Sequence, residues 1–165
     1  HYQTGEPIPA DLIDKIVAAK NYLAGYAQVR QLHFGYLDMA WHTITEPVTD
    51  AFAFELNAMK EVQPFSVVEG CLLAPQFSHI FSGGYAAGYY SYKWAEVLEA
   101  DAFAKFKEDG IFNQETAKSF RDNVLSKGGT EHPMELYKKF RGSEPNIDAL
   151  LARDGVKKKT NKTRK

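Results

Sequence analysis

Three tyrosines and a glycine pair carry the chemical interest of this chain. Tyr85, Tyr89 and Tyr92 lie in the segment FSHIFSGGYAAGYYSYKW, residues 77–94, behind His79, Gly83 and Gly84. On a helix advancing about 100° per residue, their i, i+4, i+7 spacing places the three phenols within an arc of roughly 60°. Tyr90 and Trp94 point elsewhere and are left free to pack. Adjacent glycines reach backbone conformations closed to other residues and let a second backbone or a ligand come close. A phenol donates a hydrogen bond while staying neutral at physiological pH, and a tyrosine taken out of water needs a partner. The pattern therefore reads as a row of donors aimed at something polar. The competing reading is packing, because aromatic stripes at helical spacing commonly form core and a histidine beside them is commonly structural. Spacing alone leaves both open.

The elements that must position these groups read as helices almost throughout. The tyrosine helix is predicted from about Tyr85 to Glu108, ended by Gly110, with Val97, Leu98, Phe103 and Phe106 on apolar sides. Glu96 and Glu99 continue the tyrosine face, either as polar lining of a channel or as solvated carboxylates. Upstream, Pro9 suits a first helical turn, and Leu12, Ile13, Ile16 and Val17 form the pattern of a buried face, with Gly25 as the break. Val29, Leu32, Tyr36, Leu37 and Trp41 predict a second amphipathic helix. Thr49 is the candidate cap of a third, running to about Gln63 with Phe52, Leu56 and Met59 inward. Phe65–Leu73 reads as short strand or loop, with loop and turn favoured, followed by a short helix near Phe77. Asn113 caps a helix that Gly128 and Gly129 stop; Pro133 opens another through Phe140; a last one runs from about Asn146 to Asp154, before Gly155. Breaks are short and no repeat is visible, so the expected class is all-α: one packed multi-helix unit over residues 1–156, then a basic, disordered tail over residues 157–165, KKKTNKTRK.

Composition narrows the function. The chain has 165 residues and a formal net charge of −1, which argues against a dedicated nucleic-acid surface. The basic tail could meet nucleic acid or acidic membrane, but at a terminus a solvated end is the expectation. No apolar run approaches the roughly 20 residues that span a bilayer. The single Cys71 cannot form an internal disulfide, and its neighbours Leu72 and Leu73 predict a buried, inert thiol. The five histidines are His1, His33, His42, His79 and His132, and no pair sits at the i, i+4 spacing of an H-E-x-x-H zinc helix. No metal site is expected in this chain.

The segment His79–Trp94 resembles the tyrosine-rich signature of the thimet oligopeptidase and peptidyl-dipeptidase family of zinc metallopeptidases. HYQTGEPIP, RQLHFGYLDMAWH, YSYKWAEVLEADAFAKF and FRGSEPNIDALL resemble the same family in the same order, covering nearly the whole chain. The wording GGYAAGYYSY and FRGSEPNIDALL is closer to the bacterial peptidyl-dipeptidase branch, which implies release of C-terminal dipeptides from short peptides. The resemblance implies a mostly helical, two-lobed zincin-type enzyme around a deep channel, with zinc held in the full-length enzyme by H-E-x-x-H and a downstream glutamate. This chain would then be its C-terminal part, binding no zinc and inactive without the preceding zinc-bearing part as partner. By the same resemblance Tyr92 and Tyr85 are catalytic candidates, hydrogen bonding the substrate carbonyl and its oxyanion. His79, Gly83, Gly84 and Tyr89 are substrate-binding candidates. Arg141 and Gly142 match a family pattern too, although an arginine near Glu144 and Asp148 also suits a helix-end brace. The cytoplasm is the expected location and the periplasm its alternative. A different class stays open: a stand-alone helical module that binds peptides or a protein without catalysis.

Overall fold

The computed structural model describes residues 1–156. The basic run 157–165, expected as a disordered tail, lies outside the described residues. Regular structure among the described residues is entirely helical, as the sequence pattern predicts.

Helix α1 (Ala10–Ala19) carries the expected apolar stripe, yet Leu12, Ile13, Ile16 and Val17 are 43–64% exposed and the helix has no buried residue. Periodicity reports an amphipathic face; it does not supply the partner that covers it. The break before α2 (Ala24–His42) falls at residues 20–23, where Leu23 adopts a left-handed φ of 55°, and Gly25 sits inside the first turn. On α2, Leu37 is fully buried while Leu32 and Tyr36 stay exposed, so the packed side is Phe34, Leu37 and Trp41 rather than the whole predicted stripe.

Helix α3 (Ala51–Met59) is capped by Asp50, not Thr49: the Asp50 carboxylate accepts the Ala53 amide at 2.9 Å. It stops at Met59, short of Gln63. Met59 points inward, but Leu56 is 37% exposed and Glu55 is buried in its stead. The segment 65–73 is irregular, as predicted. Cys71 is exposed there, against expectation, because this loop runs over the surface and turns only Leu73 against the core. A single-turn helix α4 (Ser78–Phe81) follows.

Helix α5 (Ser91–Asp109) ends at Gly110, whose φ is 101°. Asn113 caps α6 (Gln114–Phe120) by accepting the amides of Glu115 and Thr116 at 2.9 and 3.1 Å, and the helix runs on through a π turn at Arg121–Leu125. In α7 (Pro133–Arg141), His132 Nδ1 accepts the Met134 amide at 3.2 Å. Helix α8 (Asp148–Arg153) ends the described chain before Gly155.

Two buried clusters organise these helices. Leu37, Met59, Phe77 and Ile80 join α2, α3 and α4 under the tyrosine segment. Val97, Ala100 and Leu150 join α5 to α8, while Phe106, Phe120 and Phe140 stack at 5.0–5.8 Å between α5, α6 and α7. Polar contacts tie the halves: Lys93 donates to Gln28 at 2.5 Å, and Gln28 donates to Asp154. Arg141 pairs with buried Asp101 at 3.4 Å and with Glu108 at 3.3 Å, and Gly142 closes α7 with a φ of 85°. The brace is real, with Asp101 and Glu108 as partners; Glu144 is taken by Lys138 at 2.8 Å.

Candidate active site

The tyrosines do not share a helix. Helix α5 begins at Ser91 rather than Tyr85, and residues 85–90 form successive turns in which Gly88 N donates to Tyr85 O at 2.8 Å and Ser91 N to Gly88 O at 3.1 Å. A long-range contact overrides the local pattern. The carboxylate of Asp38, fully buried on α2, accepts the amides of Ala87 at 2.9 Å and Tyr89 at 2.8 Å. These two bonds hold Ala87 at a φ of 53°, which a helix cannot contain.

The phenols converge all the same. Ring centroids lie 5.2 Å apart for Tyr85 and Tyr92, 5.0 Å for Tyr89 and Tyr92, and 6.4 Å for Tyr85 and Tyr89. The His79 ring is 5.9 Å from Tyr85 and 6.0 Å from Tyr89, so all four predicted side chains form one patch. Their surroundings differ. Tyr89 packs on Phe34 and Phe77 at 5.6 and 5.0 Å, the packing alternative made partly true. Tyr92 is 39% exposed, and His79 also faces solvent.

Environment holds Tyr92 and Tyr89 in their donor form. The side-chain hydrogen bond with Tyr85 is the main cause of a raised Tyr92 pKa, with desolvation and the neighbouring phenols adding to it. Tyr89 is raised chiefly by desolvation, against the opposing charge of Arg30. Arg30 lies 4.8 Å over the Phe34 ring, at the edge of the same patch.

The two glycines answer different needs. A Cβ on Gly83 would stand 2.9 Å from His79 Cα and 3.0 Å from its carbonyl oxygen, so only glycine lets the turn close against α4. Gly84 has open space around it but a φ of 82°. The closed turn lets Tyr85 N donate to His79 O at 3.1 Å.

Glu96 and Glu99 leave the tyrosine patch for ion pairs: Lys93 holds Glu96 at 2.5 Å, and Arg153 holds Glu99. A separate concavity lies away from this patch. It is an apolar groove of about 620 Å³ between α5, α6 and α7, lined by Trp94, Leu98, Phe103, Phe106, Val124 and Met134 among others. Among the described residues no three His, Cys, Asp or Glu side chains converge as a metal site needs. These residues do not supply a zinc site.

The polar groups that build the site were not singled out in the sequence. Asp38 is one; Glu55 is the other, accepting the amides of Leu73 and Ala74 at 2.9 and 2.8 Å just ahead of the short helix. The available signal was a lone acid inside an apolar helical run, as in HFGYLDMAW and AFAFELNAM.

With this geometry in place, residues 1–156 match the sequence profile of peptidase family M3. The chain belongs to peptidase family M3. It is 51% identical over 164 residues to oligopeptidase A of Escherichia coli, an alignment covering 95% of this chain and 23% of that protein. It is 40% identical over 162 residues to a probable cytosolic oligopeptidase A of Arabidopsis thaliana, covering 94% and 23%. To the dipeptidyl carboxypeptidase of Salmonella typhimurium it is 36% identical over 159 residues, again covering 94% and 23%. This M3 chain thus spans about a quarter of the length of the curated relatives it matches.

Proposed function

We propose that this chain forms the substrate-side wall of an M3 metallopeptidase that hydrolyses short peptides. The observation that carries the reading is the gathering of His79, Tyr85, Tyr89 and Tyr92 beside the Gly83–Gly84 turn, with Tyr92 reaching solvent. Tyr92, fixed in the first turn of α5, is the donor to the oxygen of the scissile carbonyl, and Tyr85 is its loop-borne partner. A neutral donor set beside that oxygen stabilises the charge of the tetrahedral intermediate more than the ground-state carbonyl, which is what accelerates hydrolysis. His79, Gly83, Gly84 and Tyr89 shape the surface against which the peptide lies. Zinc belongs to the full-length enzyme in this reading, with its ligands upstream of this chain. The remaining part of the polypeptide is then the partner that covers the apolar face of α1. A chain lacking that part would be catalytically inactive.

Two specificities remain as readings. The GGYAAGYYSY wording favours release of C-terminal dipeptides, whereas the higher identity to oligopeptidase A favours cleavage within short peptides. We take the second as the better supported. Mass spectrometry of the products from a peptide of about ten residues separates them: serial loss of dipeptides from the C-terminus would reverse the choice. Among the described residues no helix is long and apolar enough to cross a membrane. We assign the enzyme to the cytoplasm, with the periplasm as alternative, to be decided by fractionation.

The catalytic reading is tested in the full-length enzyme. Tyr92→Phe should lower kcat on the order of 10²–10³-fold, the usual cost of one oxyanion donor. An unchanged turnover number rejects the role. The rival reading, a stand-alone binding module, predicts instead that titration of this chain with short peptides gives strong binding.

A further inference from the structure

We propose that Asp38 is a positioning residue for the tyrosine pair: its buried carboxylate holds the turn at residues 85–90 so that Tyr85 and Tyr92 face one substrate oxygen together. This deepens the catalytic reading above and rests on it.

A carboxylate fully removed from water is costly unless its oxygens are hydrogen-bonded. Asp38 is 0% exposed, and its bonds span the chain: Oδ1 takes the amide of Ala87 and Oδ2 that of Tyr89, 49 and 51 residues away. His42 Nδ1 closes the cluster, 2.8 Å from Oδ1 and hydrogen-bonded to the Asp38 backbone carbonyl at 2.8 Å. If the role were only to fasten α2 to the loop, an ordinary turn would serve equally well. The clamped turn instead contains Ala87 at a φ of 53°, a left-handed conformation that disfavours any residue with a Cβ. That bend reverses the chain between Tyr85 and Tyr89, and it is why Tyr85 lies over Tyr92 at 5.2 Å without sharing its helix. The loop also has a second anchor, Tyr85 N on His79 O at 3.1 Å. Release of Asp38 therefore frees the Ala87–Tyr89 end while the His79 end stays attached. The Tyr85–Tyr92 register then shifts without the loop detaching.

The test uses the full-length enzyme with Asp38→Asn, Tyr92→Phe and the double variant. Asn keeps the shape and one acceptor oxygen but turns an NH₂ toward one of the two amides. Three results are expected. Turnover of Asp38→Asn falls on the order of 10²-fold, the usual penalty for a misplaced group, with KM nearly unchanged. The double variant loses little more than the worse single one, since both changes act through the same donor. Backbone hydrogen exchange at Ala87 and Tyr89 speeds up at least about tenfold while exchange in α2 and α5 is retained. Wild-type turnover in Asp38→Asn, losses that multiply in the double variant, or unchanged exchange at these amides would each overturn the proposal. If Tyr92→Phe alone keeps full turnover, the catalytic reading fails, and Asp38 as positioner of a catalytic pair falls with it. If Tyr92→Phe loses turnover while Asp38→Asn does not, only the Asp38 proposal falls. Should Asp38→Asn not fold, Asp38→Glu, which keeps both oxygens but displaces them by one methylene, is read by the same three measurements.

Discussion

The Tyr85 ring sits 5.2 Å from that of Tyr92, although Tyr85 lies six residues ahead of the helix that carries its neighbour. The neighbouring Tyr85 hydroxyl is the largest cause of the raised Tyr92 pKa. Tyr85→Phe should therefore move the Tyr92 titration down toward the ordinary phenol value. Ultraviolet difference titration of tyrosinate, compared with Tyr92→Phe to assign the signal, reads this directly. A Tyr92 titration that stays in place would show the Tyr85 hydroxyl to be without effect on it.

Gly83 and Gly84 should respond differently to alanine. Gly84→Ala meets open space at a φ of 82° and should cost about 1 kcal/mol of stability, visible as a lower Tm. In Gly83→Ala the new methyl would stand 2.9 Å from His79 Cα, so the turn must move away and the Tyr85–His79 backbone bond is lost. Its signature in the full-length enzyme is a loss of peptidase turnover larger than that of Gly84→Ala.

His33 gives a stability term with a defined pH window. Burial first, then the charge of Arg30, lowers its pKa below 6.5. Below about pH 6.5 the unfolded chain takes up a proton that the folded chain resists, so stability falls as pH drops through that range and levels off below the folded value. Urea unfolding from about pH 7.5 to about pH 5.5 should show this slope, and His33→Gln should flatten it. Asp122, Glu131 and Glu144 are shifted down by Lys118, Lys139 and Lys138, and their contributions disappear only below about pH 4.5, outside the histidine window.

Tyr137→Phe should destabilise the chain by about 2–3 kcal/mol, because it strips a donor from a buried carboxylate. Tyr137 donates to Asp101 at 2.5 Å, and burial together with this bond pushes the phenol pKa well up. Asn146 at 3.3 Å and Arg141 at 3.4 Å remain as partial cover. Denaturant unfolding measures the loss; an unchanged midpoint would mean that these two partners suffice.

Local chemistry was readable at several positions whose cause lies within a few residues, although Asp50 rather than Thr49 caps α3 and Gly25 falls inside α2. Asn113 caps, Pro133 opens, and Gly110, Gly128 and Gly155 stop helices because each acts on backbone beside it. The tyrosine types, their closeness to His79 and the family likeness were equally legible in residues 77–94. What the tertiary structure alone decided is which faces are covered and how the loop bends. The stripe on α1 is correct as a pattern yet exposed, and Tyr85 leaves the helix because a carboxylate 49 residues away from Ala87 captures that amide. Burial and capture depend on groups brought together only by folding, and no window of neighbouring residues contains them.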